Sequence, residues 1–372
     1  MNKFVTLLLL MFFITINAQK GFKVSGVLEG FKENTIVQIE KQGIIIDSCY
    51  LKNKKFQLKG FLDDAPSIVY LYVGKGDETK NLSFFIGNED VVINAKIQDF
   101  PYDVQLQGAK FDKERYLFDQ KEKRLMIERD QLVKNMFLLR DQKKWNDSLQ
   151  NAYWSRKEPY GIIIKIDKEL DYIQNEFIRN HINSFYGLSL LNSYKTEIPL
   201  NEVKDLLDKV KPELRNSIYF KTIESHVKYP DLKIEDKFYD FSGVDQTEKE
   251  VKFSGYFNGK YILLDFSTLY CSWCLKAIPK LDELKNNNSN KLDIVTFYVD
   301  KKRKDFEGLV KKHSKDSNVV WDQQGRFSET YAKYKVFGTP TFYLFAPDGK
   351  LVEKFDGYSE ELGEKIQEII NR

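Results

Sequence analysis

A run of apolar residues that leads directly into two cysteines restricts the fold of the C-terminal third more than any other feature. The run extends from Tyr261 to Phe266 and is interrupted by Asp265, a pattern typical of a strand buried on both faces of a sheet. A second apolar run follows at residues 292–299, and a Pro-Asp-Gly turn and an apolar helical stripe come later. This order predicts an α/β domain over residues 231–372, with a mixed sheet covered by helices.

Two other patterns precede this region. From Phe22 to about Gln107, short β-rich runs are separated by Gly, Asn and Asp, which predicts an all-β, sandwich-like domain over residues 19–108. Residues 109–230 change to helical periodicity, with an apolar stripe from Ile163 to Phe177. The charged residues between Lys110 and Lys144 are interpreted as a solvated helix face.

The first 18 residues have the pattern of a secretory signal peptide. Lys3 gives a positive start, and an apolar stretch of about a dozen residues from Val5 to Ile16 is followed by Ala18 at a cleavage position. The stretch is shorter than the roughly 20 residues that a membrane span needs. We therefore expect export to the periplasm with cleavage near Ala18. The alternative is an uncleaved N-terminal anchor that leaves the protein facing the periplasm.

Net charge and cysteine content argue against two classes of protein, nucleic-acid binders and small disulfide-held scaffolds. A net charge of +3 and a pI of about 8.3 give no case for a nucleic-acid binder. The three cysteines are too few for a small scaffold held by disulfides. Cys271 and Cys274 close a very short loop, which constrains the unfolded chain little, so chemistry explains them better than stability. Cys49 lies in the β-rich region and is interpreted as a small buried hydrophobe.

The segment Cys271-Ser272-Trp273-Cys274 carries the predicted chemistry. It lies where a strand pattern becomes a helix pattern, and the first turn of a helix stabilises a thiolate through free N–H groups and the positive end of the helix dipole. Cys271 comes first and is predicted to be the exposed nucleophile. Cys274 lies one turn further on, on the apolar side, and is predicted to resolve the mixed disulfide.

These residues resemble the active-site strand and loop of thioredoxin-fold proteins, and most closely the exported TlpA-like or ResA-like thiol–disulfide oxidoreductases. Four further features fall at the matching places: Asp265, Pro279, the Gly-Thr-Pro-Thr segment at 338–341 and the Pro-Asp-Gly turn at 347–349. The match covers about Asp236 to Arg372. The order of a small β-domain and a helical region before such a domain also resembles larger members of this group.

The resemblance implies a role for each matching residue. Asp265 would help to deprotonate Cys274, and Pro279 would kink the active-site helix. Thr339 and a cis-Pro340 would dock an extended substrate segment.

The sequence departs from the family pattern at three positions next to the nucleophile. Tyr270 replaces the usual Trp, and Ser272-Trp273 replaces Gly-Pro or Pro-Pro. We expect Tyr270, Ser272 and Trp273 to affect the redox poise and the docking of partners.

The predicted function is therefore an enzyme that exchanges disulfides with protein thiols and disulfides, using the Cys271–Cys274 pair and no other cofactor. The resemblance favours reduction, which implies a membrane-bound electron donor. The sequence leaves a homodimer open and gives no sign of a nucleic-acid partner.

Three alternatives stay open from the sequence. A thiol peroxidase would use Thr268 ahead of Cys271, but Leu264 stands where that class has proline. A partner-binding or redox-sensing protein would keep the fold without turnover. A zinc site needs four ligands, and one cysteine pair supplies only two.

Overall fold

The computed structural model describes residues 20–372. The predicted signal peptide and its cleavage near Ala18 lie outside the described residues. The chain divides into two compact units, one ending at His181 and one comprising residues 182–372. None of the helices in residues 20–372 combines the length and the apolar character that a bilayer span requires.

The part of the first unit that the structure describes begins with two four-stranded sheets, one antiparallel and one mixed. The strands are β1 (Phe22–Glu29), β2 (Ile36–Lys41), β3 (Ile44–Tyr50), β4 (Lys55–Gly60), β5 (Ser67–Val73), β6 (Lys80–Ile86), β7 (Asp90–Lys96) and β8 (Leu106–Gln107). Their orders are β4-β1-β7-β8 and β3-β2-β5-β6, with β1 and β7 parallel. Alternate residues of β7 are buried and exposed, as expected of a sheet with one face on a core. The predicted all-β domain is confirmed.

Within the described residues of the first unit, three α-helices follow the strands: α1 (Lys113–Asp141), α2 (Asp147–Trp154) and α3 (Ile162–His181). The apolar stripe predicted from Ile163 to Phe177 lies on α3, and both of these residues are buried. The ring of Phe177 lies 5.0 Å from the ring of Phe118 on α1. The helical prediction for this part of the chain is therefore confirmed, and its stripe is the face that packs.

The interpretation of the charges between Lys110 and Lys144 as a solvated face is wrong for Arg115. This side chain is 1% exposed, and its guanidinium donates to Asp112 and Asp119, each at 2.6 Å. Asp112 Oδ1 also accepts the backbone N–H of Phe85 at 2.8 Å. These contacts hold the start of α1 against strand β6. Arg115 and Asp112 are therefore buried structural groups and not part of a solvated helix face.

The second unit is built on a seven-stranded mixed sheet. Its strands are β9 (Ser242–Asp245), β10 (Glu250–Lys252), β11 (Tyr261–Ser267), β12 (Leu292–Tyr298), β13 (Asn318–Trp321), β14 (Thr341–Phe345) and β15 (Leu351–Asp356). Its helices are α4 (Phe185–Tyr194), α5 (Leu200–Asp208), α6 (Ile218–Lys228), α7 (Ser272–Asn287), α8 (Arg303–Val310), α9 (Glu329–Lys333) and α10 (Leu362–Ile370). The strand order is β10-β9-β13-β12-β11-β14-β15, with β11, β12 and β13 parallel. The predicted mixed sheet covered by helices is confirmed.

The central strand β11 is buried on both faces, as its apolar run predicts. Leu264 and Phe266 belong to a core with Phe345 on one side of the sheet. Leu263 faces the other side, in a core with residues of α7 and α10 such as Leu281. Since β11 is followed directly by the turn into α7, this burial fixes the position of the cysteine pair.

The predicted turn between β14 and β15 is present. The N–H of Gly349 donates to the carbonyl of Ala346 at 2.8 Å, and the N–H of Ala346 donates to Lys350 at 2.8 Å. Gly349 has φ +82, and a Cβ there would lie 2.8 Å from the ring of Phe238. Glycine is therefore required by both the backbone conformation and the packing.

The helical region predicted over residues 109–230 is divided between the two units after His181. Helix α6 lies against α9, where the hydroxyl of Tyr229 donates to Glu329 at 3.1 Å, and the Lys335 ammonium donates to the carbonyl of His226. These contacts hold α6 to α9 and to the residues that follow α9. The second compact unit therefore begins at residue 182, whereas the sequence placed a domain boundary at 231.

Candidate active site at the start of helix α7

The nucleophile candidate lies at the N-terminus of a helix, as predicted. Cys271 is the N-cap residue of α7, and its sulfur accepts the backbone N–H of Cys274 at 3.2 Å. The same thiol donates to the carbonyl oxygen of Thr339 at 3.2 Å. Both cysteines are free thiols, and Cys271 is partly exposed whereas Cys274 is buried. Backbone N–H groups that have no acceptor within the helix, together with the helix dipole, stabilise negative charge on a sulfur in this position.

Cys274 is the protected member of the pair. It is 1% exposed, and burial, the hydrogen bond with Cys271 and the nearby Asp265 charge raise the pKa of its thiol to about 12. A thiol of this kind stays protonated at neutral pH. It needs a proton acceptor when it attacks another sulfur.

A buried carboxyl lies in the strand below the cysteines. Asp265 is 1% exposed, and burial raises its pKa to about 7. Its Oδ2 accepts the hydroxyl of Thr296 at 3.2 Å, and its Oδ1 has no hydrogen-bond partner among residues 20–372. A carboxyl group whose pKa is close to neutral can both accept and release a proton under physiological conditions.

The loop opposite Cys271 has the predicted cis-proline. The peptide bond between Thr339 and Pro340 is cis. The Thr341 hydroxyl donates to the carbonyl of Gly338 at 2.8 Å, and the N–H of Gly357 donates to the carbonyl of Pro340 at 3.0 Å. These hydrogen bonds tie the loop to its own start and to the end of β15, and Thr339 is thereby held against Cys271.

Exposed aromatic side chains lie on the two segments that carry Cys271 and Thr339. Tyr270 is 64% exposed, Trp273 is 56% exposed and Phe337 is 63% exposed. Ser272, the first residue of α7, is also exposed and lies between Cys271 and Trp273 in the sequence. Apolar side chains left in solvent around a reactive group are typical of a surface that binds a partner.

The predicted docking residues Tyr270 and Trp273 have defined partners. The Tyr270 hydroxyl donates to Asp305 at 2.6 Å, and this hydrogen bond raises its pKa to about 12. The Trp273 ring stacks with the ring of Tyr358 at 6.4 Å. The Lys276 ammonium lies 5.3 Å from the centre of the Trp273 ring. The two side chains are therefore held in place although they face solvent.

Pro279 lies inside α7, which continues to Asn287. Proline lacks the backbone N–H that would donate to the carbonyl four residues earlier, at Leu275. Pro279 therefore interrupts the hydrogen-bond ladder of the active-site helix one turn after Cys274, at the place that the sequence predicted.

Sequence reasoning missed Thr296 and Phe337. Thr296 pairs with Asp265 in the register of β11 and β12, and it is the polar residue in the apolar stretch 294–299. That exception was a usable signal, because a buried hydroxyl needs a partner. Phe337 carried no comparable signal, since an exposed aromatic residue cannot be recognised from its neighbours in the sequence.

The surroundings bear on two alternative chemistries. No group of three or more His, Cys, Asp or Glu side chains within residues 20–372 is arranged to hold a metal ion. The Thr268 hydroxyl donates to Asp300 and accepts the N–H of Tyr270 at 3.2 Å. The Thr268 hydroxyl therefore donates to Asp300 and not to the Cys271 sulfur, whereas a peroxidase would use this hydroxyl as a donor at the sulfur.

Comparisons with known proteins agree with the thioredoxin-like fold of the C-terminal part. Residues 258–351 match a family described as thioredoxin-like, and residues 22–114 match a domain family of unknown function, DUF4369. A thiol–disulfide oxidoreductase ResA from Bacillus thuringiensis is 27% identical over 117 residues, which is 31% of this chain and 65% of that protein. A ResA from Bacillus cereus matches to the same extent. The chain thus spans 65% of the length of the curated relatives that it matches.

Two solved structures are also similar. The thioredoxin domain of a thiol–disulfide oxidoreductase from Bacteroides vulgatus is 25% identical with a TM-score of 0.35, covering 38% of this chain and 100% of that one. A thiol:disulfide interchange protein from Bacteroides sp. has the same identity and TM-score and is covered over 92%. With the family match and the geometry around Cys271 taken together, the C-terminal part of this chain has a thioredoxin-like fold, and it is similar to the ResA thiol–disulfide oxidoreductases.

Proposed function

We propose that this protein is an exported thiol–disulfide oxidoreductase that reduces protein disulfides through Cys271 and Cys274. The observation that carries the proposal is the position of the Cys271 sulfur, 3.2 Å from both the N–H of Cys274 and the carbonyl of Thr339. The first contact supports a thiolate at the helix start. In the second contact the Cys271 thiol donates to the backbone of the cis-proline loop, and we propose that a substrate segment binds along this loop.

The proposed reaction has two displacement steps. The Cys271 thiolate attacks one sulfur of the substrate disulfide, a mixed disulfide forms and the other substrate sulfur leaves as a thiolate. Cys274 then attacks the Cys271 sulfur, and its proton passes to Asp265. The second substrate sulfur leaves as a thiolate. The substrate is now reduced, and the Cys271–Cys274 pair is oxidised to a disulfide. Two electrons have moved from the enzyme to the substrate.

The substrate is proposed to bind as an extended segment along the loop at Thr339 and Pro340. Backbone hydrogen bonds to such an edge give affinity without demanding a particular sequence. Tyr270, Ser272 and Trp273 would contact the residues on either side of the substrate cysteine. This arrangement suits a protein disulfide better than a small disulfide, which offers no backbone to pair.

Export and electron supply belong to the same proposal. The signal-peptide pattern of residues 1–18 supports a periplasmic location. A reductase in an oxidising compartment must be re-reduced after each turnover. We therefore propose a membrane-bound dithiol donor that reduces the Cys271–Cys274 disulfide.

Turnover of a peptide disulfide with dithiothreitol as electron donor tests the proposal. Cys271→Ser is expected to abolish turnover, because it removes the thiol at the N-cap of α7 and leaves only the buried Cys274 at the site. Cys49→Ser is the matched control, since it removes a cysteine in strand β3 of the first unit, and its turnover is expected to equal that of the wild type. Normal turnover by Cys271→Ser would reject the mechanism. A wild type that never cycles would favour a partner-binding role.

A further inference from the structure

A threonine in the neighbouring strand donates the hydrogen bond that the buried carboxyl accepts. Thr296 is paired with Asp265 in the parallel register of β12 and β11, so both side chains project from the same face of the sheet. Both residues are 1% exposed. The Thr296 hydroxyl lies 3.2 Å from Asp265 Oδ2.

The surroundings of Asp265 make the Thr296 hydrogen bond important for the ionisation of this carboxyl. Helix α7 contributes the Cys274 thiol as the titratable group that faces the carboxyl, and β14 contributes Phe342 as its neighbour in the sheet. Within residues 20–372, the influences on the Asp265 pKa are burial, which raises it, and the Thr296 hydrogen bond, which lowers it. A donor to a carboxylate favours its ionised form, and here no second donor shares that role.

We propose that Thr296 is a positioning residue for disulfide exchange, whose hydroxyl orients the Asp265 carboxyl and favours the ionised form that accepts the Cys274 proton. The inference rests on the proposed function. Thr296 touches neither the substrate nor the reacting sulfurs. It acts through Asp265 on the second displacement step and not on the first.

The chemistry of that step makes the role testable. As the Cys274 sulfur forms its bond to the Cys271 sulfur, the Cys274 proton moves to Asp265. The bond between Cys271 and the substrate sulfur breaks, and the electron pair leaves with the substrate as a thiolate. Only ionised Asp265 can accept this proton, so the rate of resolution falls at low pH with a limb that reports the titration of Asp265.

The test is the pH profile of resolution in Thr296→Val, which keeps the side-chain shape and removes the hydroxyl. A mixed disulfide between Cys271 and a peptide is formed first, and the release of the peptide is followed from pH 5 to pH 9. In Thr296→Val, the midpoint of the acid limb of the rate profile is expected to rise by about one pH unit, because the hydrogen bond to the Asp265 carboxylate is lost. Resolution below that limb then slows about tenfold.

Two controls separate this effect from a structural one. Thr296→Ser keeps the hydroxyl and is expected to restore the wild-type profile. Thr222→Val makes the same change at a buried threonine of α6, whose hydroxyl donates to the carbonyl of Ile218 at 2.8 Å, and its profile is expected to match the wild type. The first step, measured as mixed-disulfide formation in a Cys274→Ser background, is expected to be unchanged by Thr296→Val.

The outcomes distinguish the inference from the proposed function. If the wild type exchanges disulfides and the Thr296→Val limb coincides with the wild-type limb, Thr296 has no positioning role. If the wild type forms no mixed disulfide at any pH, the proposed function fails. Titration of the Asp265 carboxyl by carbon NMR gives a readout that needs no turnover, in Thr296→Ala if the valine variant does not fold. An upward shift supports the inference, and an unshifted titration overturns it.

Discussion

The thiol of Cys271 lies 3.2 Å from the carbonyl oxygen of Thr339, a residue 68 positions further along the chain. This contact joins the start of helix α7 to the loop that precedes β14. The nucleophile and the edge proposed to dock the substrate are therefore parts of one surface. A disulfide bound along the loop at Thr339 would therefore lie next to Cys271.

Removal of the second thiol is expected to stop the reaction halfway. In Cys274→Ser, Cys271 can still attack a substrate disulfide, but no sulfur is placed to resolve the product. The mixed disulfide is therefore expected to accumulate as a stable species on non-reducing gels and in mass spectra. If Cys274→Ser turns over normally and traps nothing, the assignment of the pair is wrong.

Replacement of the buried carboxyl is expected to slow the second step. Asp265→Asn keeps the shape of a side chain that is 1% exposed and removes its ability to accept a proton. A general base typically contributes on the order of 10²-fold to a rate, so resolution at pH 7 should slow by about that factor. Single-turnover kinetics measure this rate, and circular dichroism checks the fold. Full speed in this variant would mean that Asp265 has no proton-transfer role.

The same carboxyl predicts how stability depends on pH. Burial raises the pKa of Asp265 from its ordinary value of 3.8 to about 7, so the folded state holds this proton more tightly than the unfolded state does. The stabilisation is complete below pH 3.8 and is lost as pH rises through 7. The loss is on the order of 4 kcal/mol.

Urea unfolding at pH 5 and pH 8 measures this effect as a difference between two proteins. The wild type is expected to lose more stability than Asp265→Asn between these pH values, because the amide does not titrate. Parallel behaviour of the two proteins would show that the carboxyl is not held in an unfavourable environment.

The first unit offers a prediction that concerns packing. Arg115→Met would leave Asp112 buried and without its cation, and breaking a buried ion pair on one side costs about 3–5 kcal/mol. Arg124→Met is the matched control on the same helix. The Arg124 side chain is 72% exposed and reaches Glu128 at 3.4 Å, so its loss should cost less than about 1 kcal/mol. Equal urea midpoints for the two variants would contradict the role given to Arg115.

The elements that carry the candidate site could be predicted from the sequence because they are local or have strong backbone preferences. The buried strand, Cys271, Cys274 and Pro279 lie within 20 residues of one another, and the cis-proline and hairpin turns have residue types that few other structures require. The short strands β9, β10 and β13 were not predicted. Each has four residues or fewer, which is too little for a periodic pattern to show.

Other features depend on contacts between distant segments, which a sequence does not reveal. Arg115 was expected in solvent because its neighbours are charged, and only the position of Asp112 and Phe85 makes it a buried residue. The division of the helical region after His181 likewise depends on where each helix packs. Both outcomes come from tertiary contacts, which override local composition.

The reduction potential of the Cys271–Cys274 pair decides whether the protein can act as a reductase. The mature protein is equilibrated in dithiothreitol or glutathione buffers, and the fractions of dithiol and disulfide are measured. For a reductase we expect a reversible two-electron couple near the value of thioredoxin, about −270 mV. A value near −120 mV, typical of a strong oxidant, would contradict the reductive direction, and the absence of any couple would contradict the assignment of Cys271 and Cys274 as a redox pair.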